Sequence, residues 1–281
     1  MSRTSDYRVA VLLCGQSRTY RICLPAIAKF FSNQQTDDLK RWVKVDYFLH
    51  TWDTNQWTTK GSDKINLGSI GYVPADIDMD LISSTLGTLR SYEIEVFDRF
   101  KVHPFWGPSL HSFFRANRLK SIYEKEQGVT YDLVIKVRLD QVWYPTAFFQ
   151  FRDIVQNRFI YTSSGAFRIN YELNSFNLDD VWFFGDSATM NSASYLYKYV
   201  NQILGGRNYR SNTNHNLYYP EASLGPGALM NRYLNRINIQ GINWVDYFSY
   251  VVVRKDALDN GWTYENNFPE IRQNSLEYYN K

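Results

Sequence analysis

Residues 8–18 read RVAVLLCGQSR, and this stretch decides the fold. The run from Val9 to Leu13 is continuously apolar, which is typical of a strand covered on both faces, and Gly15 ends it. A helix is expected over 19–31, although Pro25 is unfavourable inside a helix because it lacks an N–H group. A buried strand, a glycine turn and a helix in this order indicate an α/β architecture.

The alternation of strands and helices continues along the chain. Further strands are expected at 43–50, 91–97, 133–137, 159–162, 181–185 and 247–254. Further helices are expected at 76–87, at 109–126, after Asp186 as the capping residue, and from about 222. Residues 53–75 are polar and rich in turn formers, which indicates loop structure. The pattern predicts a mostly parallel central sheet with helices on both faces.

The composition is that of a globular chain of 281 residues with a net charge of +3. This charge is too small, and the basic residues are too scattered, to indicate a nucleic-acid partner. The amino-terminal apolar run is too short for a signal peptide, and no run is long enough to span a bilayer. The two cysteines, Cys14 and Cys23, are expected to be reduced thiols. We therefore expect a soluble, cytoplasmic protein without a membrane span.

Polar residues follow the first strand, where a parallel sheet of this kind binds its ligands. Gly15 allows the backbone to approach a ligand closely, and Gln16 and Arg18 offer hydrogen-bond donors to a uracil edge or a phosphate. The alternative is an ordinary turn with a solvated arginine. The segment is neither a GxGxxG nor a GxxxxGK[ST] motif, which disfavours a dehydrogenase and a P-loop kinase.

Aromatic residues are abundant, with 22 Tyr, 18 Phe and 8 Trp. One of the tryptophans, Trp52, lies in the segment HTWD at 50–53. Thr51 and Trp52 follow the second strand and are candidates for contact with a nucleotide, since an exposed ring there can stack on a base or ribose. The alternative is that Trp52 packs against the sheet. His103 and His111 show no ligand pattern, whereas His215, in an Asn-rich loop, is either a metal ligand or a solvated side chain.

The fourth strand lies in the segment YDLVIKVRLDQVW, residues 131–143. Arg138 and Asp140 follow directly after this strand. A carboxylate that directly follows a buried strand is a suitable ligand for Mg²⁺ or Mn²⁺, because both ions prefer oxygen ligands. Asp140 is therefore the candidate metal ligand, and Arg138 a candidate partner of a phosphate. The alternative is an ion pair between the two side chains.

Further carboxylates lie near the later strands. Asp179 and Asp180 precede the strand at 181–185, and only one of two adjacent residues faces a given side of a strand. Asp180 is a candidate for binding the hydroxyl groups of a donor sugar or for acting as a base on an acceptor hydroxyl. Asp179 is a candidate for contact with the same donor sugar, or is exposed to solvent. Glu221 precedes a predicted helix and is a candidate catalytic carboxylate, or a helix-terminal acid.

The order of these motifs resembles the GT-A-fold glycosyltransferases, especially compact members from phages, large algal viruses and bacteria. The resemblance rests on VLLCGQSRT (11–19), DYFLHTWD (46–53), YDLVIKVRLD (131–140), DDVWFFGD (179–186) and PEASL (220–224). It implies one GT-A-like catalytic domain over 1–254, with a nucleotide-binding part at 1–145 and a sugar and acceptor part at 146–254. Residues 255–281 are expected to form a tail. If the source is viral, the protein is expected in the host cytoplasm.

The resemblance also implies roles for individual residues. Asp140 matches the last Asp of the DxD metal motif, whose first Asp is Arg138 here, so the motif is a variant RLD. The Asp180 region is expected to contact the donor sugar or acceptor, and Glu221 occupies the place of a late catalytic carboxylate in retaining members. The commonest donor of such enzymes is a UDP-sugar, and the metal is Mn²⁺ or Mg²⁺.

The leading hypothesis is therefore a metal-assisted glycosyltransferase that moves a sugar from a nucleotide-diphosphate sugar to a glycan or another hydroxyl acceptor. One alternative is a carbohydrate- or nucleotide-binding module without catalysis, which the incomplete DxD and the abundant aromatic residues favour. A nucleotidyltransferase is the third possibility, although the chain lacks the basic glycine-rich loop that would hold a nucleoside triphosphate.

Overall fold

The structure, a computed structural model, describes residues 6–32, 42–58, 70–98, 107–143, 157–163, 182–199, 230, 233–244 and 250–252. Four helices and eleven strands lie within these residues. In chain order they are β1 (Tyr7–Cys14), α1 (Tyr20–Ser32), β2 (Val43–Trp52), β3 (Thr54–Thr58), β4 (Ile70–Pro74), α2 (Met79–Leu86), β5 (Leu89–Glu95), α3 (Gly107–Gln127), β6 (Leu133–Arg138), β7 (Gln141–Trp143), β8 (Phe159–Ser163), β9 (Phe183–Gly185), α4 (Ser187–Ser194), β10 (Gln240–Trp244) and β11 (Tyr250–Val252).

Seven of these strands form one mixed sheet in the order β5-β2-β1-β6-β9-β8-β10. Its pairs are parallel except that β9 runs antiparallel to both β6 and β8. The chain builds outward from β1 through β2 to β5 and then returns to the other side of β1 as β6. The strand order therefore reverses between β1 and β6, which is the switch point where α/β sheets of this kind bind ligands.

Apolar side chains cover both faces of the sheet. Alternate residues of β1 point to opposite faces, so Val9 and Val11 pack on the side of α1 and α2, whereas Ala10 and Leu12 pack on the side of α3 and α4. This double coverage explains why β1 is apolar at every position from Val9 to Leu13. The α/β fold with a mostly parallel sheet and helices on both faces is confirmed.

The sequence pattern missed four short strands, β3, β4, β7 and β10. Residues 53–75 were expected to be a loop, but β3 and β4 pair with each other as an antiparallel two-stranded sheet. Strand β7 pairs antiparallel with β11, which falls within the strand expected at 247–254, and β10 forms the edge of the main sheet beside β8. The four missed strands are three to five residues long and carry no continuous apolar run of the kind that marks β1. The start of the helix expected from about 222 lies outside the described residues, whereas residues 230 and 233–236 of the same region are helical.

Helix α3 is the longest described helix, with 21 residues, and it packs against β1 and β2. It follows β5 and runs back along the sheet, so its first turns lie at the carboxyl ends of the strands. Within the described part of the chain, no helix combines the length and the apolar character needed to cross a bilayer.

Candidate functional site

The turn after β1 lies at the carboxyl edge of the sheet and leads into α1. Gly15 has φ +107°, a backbone conformation that strongly favours glycine. Its N–H donates to the Ser112 hydroxyl at 2.7 Å and to the His50 carbonyl at 3.3 Å. The turn is therefore attached to β2 and to α3, and it presents Gln16 and Arg18, both half-buried, at the start of a helix. The amino end of a helix favours a bound anion.

Arg138 and Asp140 lie beside this turn, because Cys14 of β1 is paired with Arg138 of β6. Arg138 donates through Nε and one terminal nitrogen to the two oxygens of Asp140, at 2.7 Å and 2.6 Å. The Asp140 carboxylate is 2% exposed. Burial raises its pKa, but the charges of Arg138 and Arg18 and the hydrogen bonds from Arg138 leave the pKa below its ordinary value. The ion pair that the sequence offered as an alternative is present.

This ion pair limits the ligands that the Asp140 carboxylate can bind in the observed arrangement. A hard divalent cation needs several oxygen ligands. Both Asp140 oxygens already accept N–H groups from Arg138, and among the described residues Asp140 belongs to no group of three metal-ligating side chains. The arrangement, two guanidinium groups near one carboxylate, therefore fits an anion-binding site better than a magnesium or manganese site.

Thr51 and Trp52 end β2, and both are buried rather than exposed to a ligand. The Trp52 indole contacts the ring of His50 edge-on at 5.1 Å and the ring of Phe97 edge-on at 5.3 Å. The burial of Trp52 supports the alternative that its ring packs against the sheet, because neither face of the ring is free to stack on a base. Within the described residues, the Thr51 hydroxyl and the Trp52 N–H make no hydrogen bond.

A second polar cluster lies at the same edge, where β2, β5 and the start of α3 meet. One carboxylate oxygen of Glu95, Oε2, is 3.2 Å from His50 Nε2 and 2.8 Å from His111 Nε2. Burial lowers the pKa of His111, despite the nearby Glu95. Hydrogen bonding to His50 lowers the pKa of Glu95 to about 2, although burial opposes this. The cluster therefore contains a carboxylate that is ionised at neutral pH.

Three members of this cluster, Glu95, His111 and Ser112, were not selected from the sequence. Glu95 ends β5, so the rule that sites lie at strand ends could have drawn attention to it. His111 and Ser112 lie on a helix with no ligand-spaced partner nearby in the chain. Their proximity to His50 arises only when α3 packs on the sheet.

The remaining predicted residues are placed as follows. Asp179, Asp180 and Glu221 lie outside the described residues. Asp186 caps α4, as predicted: its carboxylate accepts the Thr189 N–H at 2.8 Å and the Thr189 hydroxyl at 2.6 Å. The structure thus brings together Gly15, Gln16, Arg18, Arg138 and Asp140.

Neither a protein-family model nor a curated protein sequence matches this chain. The resemblance to GT-A enzymes therefore rests on the quoted motifs and their order. The function has to be argued from the chemistry of the carboxyl edge.

Proposed function

We propose that this protein is a glycosyltransferase of GT-A type that transfers a sugar from a nucleotide-diphosphate sugar, a UDP-sugar, to a hydroxyl acceptor. One observation carries the proposal: the Gly15–Arg18 turn and the Arg138–Asp140 turn are neighbours at the switch point of the sheet. Ligands of open α/β sheets bind in the crevice at this point. A glycine turn, a helix start and two arginines there suit a diphosphate.

The sheet order also supports the proposal. The strands nearest the amino terminus form a parallel half, β5-β2-β1-β6, of the kind that binds nucleotides. The reversed strand β9 then joins this half to β8 and β10.

The proposed chemistry assigns charge neutralisation to the arginines. As the glycosidic bond to the diphosphate breaks, negative charge grows on the leaving phosphate. Preorganised cations at that position stabilise the transition state more than the ground state. Asp140 holds the Arg138 guanidinium in a fixed plane through two hydrogen bonds. Arg18 lies close enough to act on the charge of Asp140.

A divalent metal, Mn²⁺ or Mg²⁺, is the cofactor that the resemblance implies, with Asp140 as ligand. The donor set described above does not favour that ion, so no step is assigned to it here. Metal assistance remains a prediction, and its test is whether addition of Mn²⁺ to chelator-treated protein increases turnover of a UDP-sugar.

The binding experiment is a calorimetric titration of the full chain with UDP and UDP-sugars. Arg18→Ala should weaken UDP binding about tenfold or more, since a hydrogen bond to a charged group contributes about 1.5–3 kcal/mol. Arg21→Ala is the matched control, because Arg21 lies three residues later, in the first turn of α1, and bonds the exposed Asp76 instead. Wild-type protein that binds no nucleotide, or Arg18→Ala with wild-type affinity, would overturn the proposed site.

The catalytic carboxylates are tested by turnover. Glu221→Gln and Asp180→Asn should lower the release of UDP in the presence of acceptor while UDP affinity stays within a factor of about two. A wild-type protein that binds UDP-sugars but releases no UDP with any acceptor would favour the binding-module alternative. The ion pair that occupies Asp140 is the observation in favour of that alternative.

A further inference from the structure

The cluster of His50, Glu95 and His111 is assigned no role by the proposed transferase chemistry. The three residues come from different elements, β2, β5 and α3, and converge at one point of the carboxyl edge. One ring nitrogen of each histidine and a Glu95 oxygen all lie within 4.8 Å of one another. Ligand atoms around a tetrahedral zinc ion lie about 3.4 Å apart, given metal–ligand bonds of about 2.1 Å.

Ser112 holds the His50 residue in place. The Ser112 hydroxyl accepts the Gly15 N–H at 2.7 Å and donates to the His50 carbonyl at 2.9 Å. Its Oγ also lies 3.0 Å from His50 Nδ1, so this ring nitrogen is within hydrogen-bond distance of a fixed hydroxyl.

The other nitrogen of His50, Nε2, faces a Glu95 oxygen at 3.2 Å. A histidine with one ring nitrogen hydrogen-bonded to a fixed group and the other directed at a carboxylate has the arrangement of a metal ligand with its supporting hydrogen bond.

His111 completes the donor set. Its Nε2 is 2.8 Å from the same Glu95 oxygen. Its Nδ1 is buried and makes no hydrogen bond to the described residues. Two imidazoles and one carboxylate suit zinc and related transition metals, whereas magnesium and calcium prefer oxygen ligands alone.

We propose that His50, Glu95 and His111 bind a divalent transition metal of the zinc class. The Glu95 side chain is 35% exposed, so one side of the ion faces solvent and can carry water or another ligand. On the other sides lie the rings of Trp52, 5.1 Å from His111, and Tyr197, 4.5 Å from His111. The site is thus partly shielded from water.

Arg115 is the neighbouring charge that opposes a cation. Its Nε lies 3.8 Å from the Glu95 oxygen. However, the same guanidinium is held by Glu93 through two hydrogen bonds, one of them 2.8 Å long. Glu93 therefore compensates most of the charge of Arg115, and Glu95 remains available to the metal.

The test is metal binding by the chelator-treated full chain in the absence of any nucleotide. Equilibrium dialysis against Zn²⁺ should give one ion per chain. Glu95→Gln and His111→Gln should each weaken the binding about tenfold or more, because each removes a ligand. Glu126→Gln is the matched control, since Glu126 is an exposed carboxylate on α3, the helix that carries His111, and is outside the ligand set. It should bind Zn²⁺ as the wild type does.

Cobalt gives a second measurement that reports the ligands directly. Co²⁺ bound by this set should show visible absorption that Glu95→Gln and His111→Gln abolish and Glu126→Gln retains. Wild-type protein without stoichiometric binding would overturn the proposal, because a shared proton would then account for the cluster. Equal binding by wild type, Glu95→Gln and His111→Gln would also overturn it. Neither measurement depends on the proposed transferase activity.

Discussion

Asp140 keeps its negative charge in the protein interior because guanidinium groups lie next to it. Burial raises its pKa, but Arg138 and Arg18 together hold the pKa below the ordinary value. The cost of burying a carboxylate is thus offset by specific partners rather than by water. A sequence pattern cannot show this balance, because it depends on which arginines approach the carboxylate in three dimensions.

Asp140→Asn should lower the free energy of unfolding by about 3 kcal/mol at neutral pH, since it leaves the Arg138 charge without its partner. The folded-state pKa of Asp140 is depressed, so its contribution is present above the ordinary value of 3.8 and is lost as pH falls further. The difference between wild type and variant should therefore shrink on acidification below about pH 4. Urea titrations from neutral to acidic pH measure this difference.

Asp76→Asn is the control for that series, because Asp76 is exposed and forms a surface pair with Arg21. Such a pair contributes about 0–1 kcal/mol, so this variant should stay close to the wild type at every pH. A stability difference for Asp140→Asn that does not change with pH would contradict the assigned ionisation.

Lys120 is a second buried charge, and it connects α3 to α4. Its ammonium is 0% exposed, lies 2.9 Å from a Glu124 carboxylate oxygen and 2.9 Å from the Asn191 side-chain carbonyl. It also donates to the hydroxyl of Ser187. Burial lowers the pKa of Lys120, although Glu124 opposes the shift.

Lys120→Met should cost about 3–5 kcal/mol of unfolding free energy, because it leaves the half-buried Glu124 carboxylate without its cation. Guanidinium denaturation followed by circular dichroism measures the loss. Lys125→Met, an exposed position one turn later, should change stability by less than about 0.5 kcal/mol. If both variants were equally stable, the buried pair would have no structural role.

The elements are terminated by side chains that the local sequence supplies. Asp78 accepts the Leu81 N–H at the start of α2, and Asp186 accepts the Thr189 N–H at the start of α4. Gly87 ends α2 with φ +70°, where a residue with a Cβ atom is strained. These interactions fall within a few residues of one another in the chain, so they can be predicted without the tertiary fold.

Asp186→Ala should destabilise the protein by about 1 kcal/mol, because it removes the acceptor of a helix N–H group. Asp186→Asn should restore most of the stability, since the amide oxygen is also a good cap. Thermal unfolding at matched protein concentration compares the three proteins. An alanine variant as stable as the wild type would exclude a capping role.

At the scale of the whole molecule, the two cysteines lie on opposite sides of the sheet. Cys14 belongs to the core beside α3 and α4, and Cys23 lies on α1, which covers the other face. Both are free and buried, and burial raises the pKa of each to about 12. Access to either thiol therefore requires one of the two packed layers to open.

Neither thiol should react with a thiol reagent at pH 8 in the native protein, and both should react in denaturant. The single variants Cys14→Ala and Cys23→Ala isolate the remaining thiol, so their labelling rates report opening of the two faces separately. Rapid labelling of one thiol in the absence of denaturant would show that its face is not packed as described.

The sequence by itself determined the α/β class, most strands of the central sheet and the Asp186 cap. These follow from patterns within one element, such as the unbroken apolar run of β1, because burial on both faces excludes polar residues at every position. It also directed attention to the turns after β1 and β6, since polar residues after buried strands mark the ligand edge.

Only the tertiary structure decided the antiparallel position of β9, the burial of Trp52 and the meeting of His50, Glu95 and His111. The members of that cluster are far apart in the chain, and nothing in their local sequences couples them. Their contact arises when β2 and β5 pair and α3 packs on the sheet. Such proximity depends on the packing of whole elements, which local patterns of polarity do not specify.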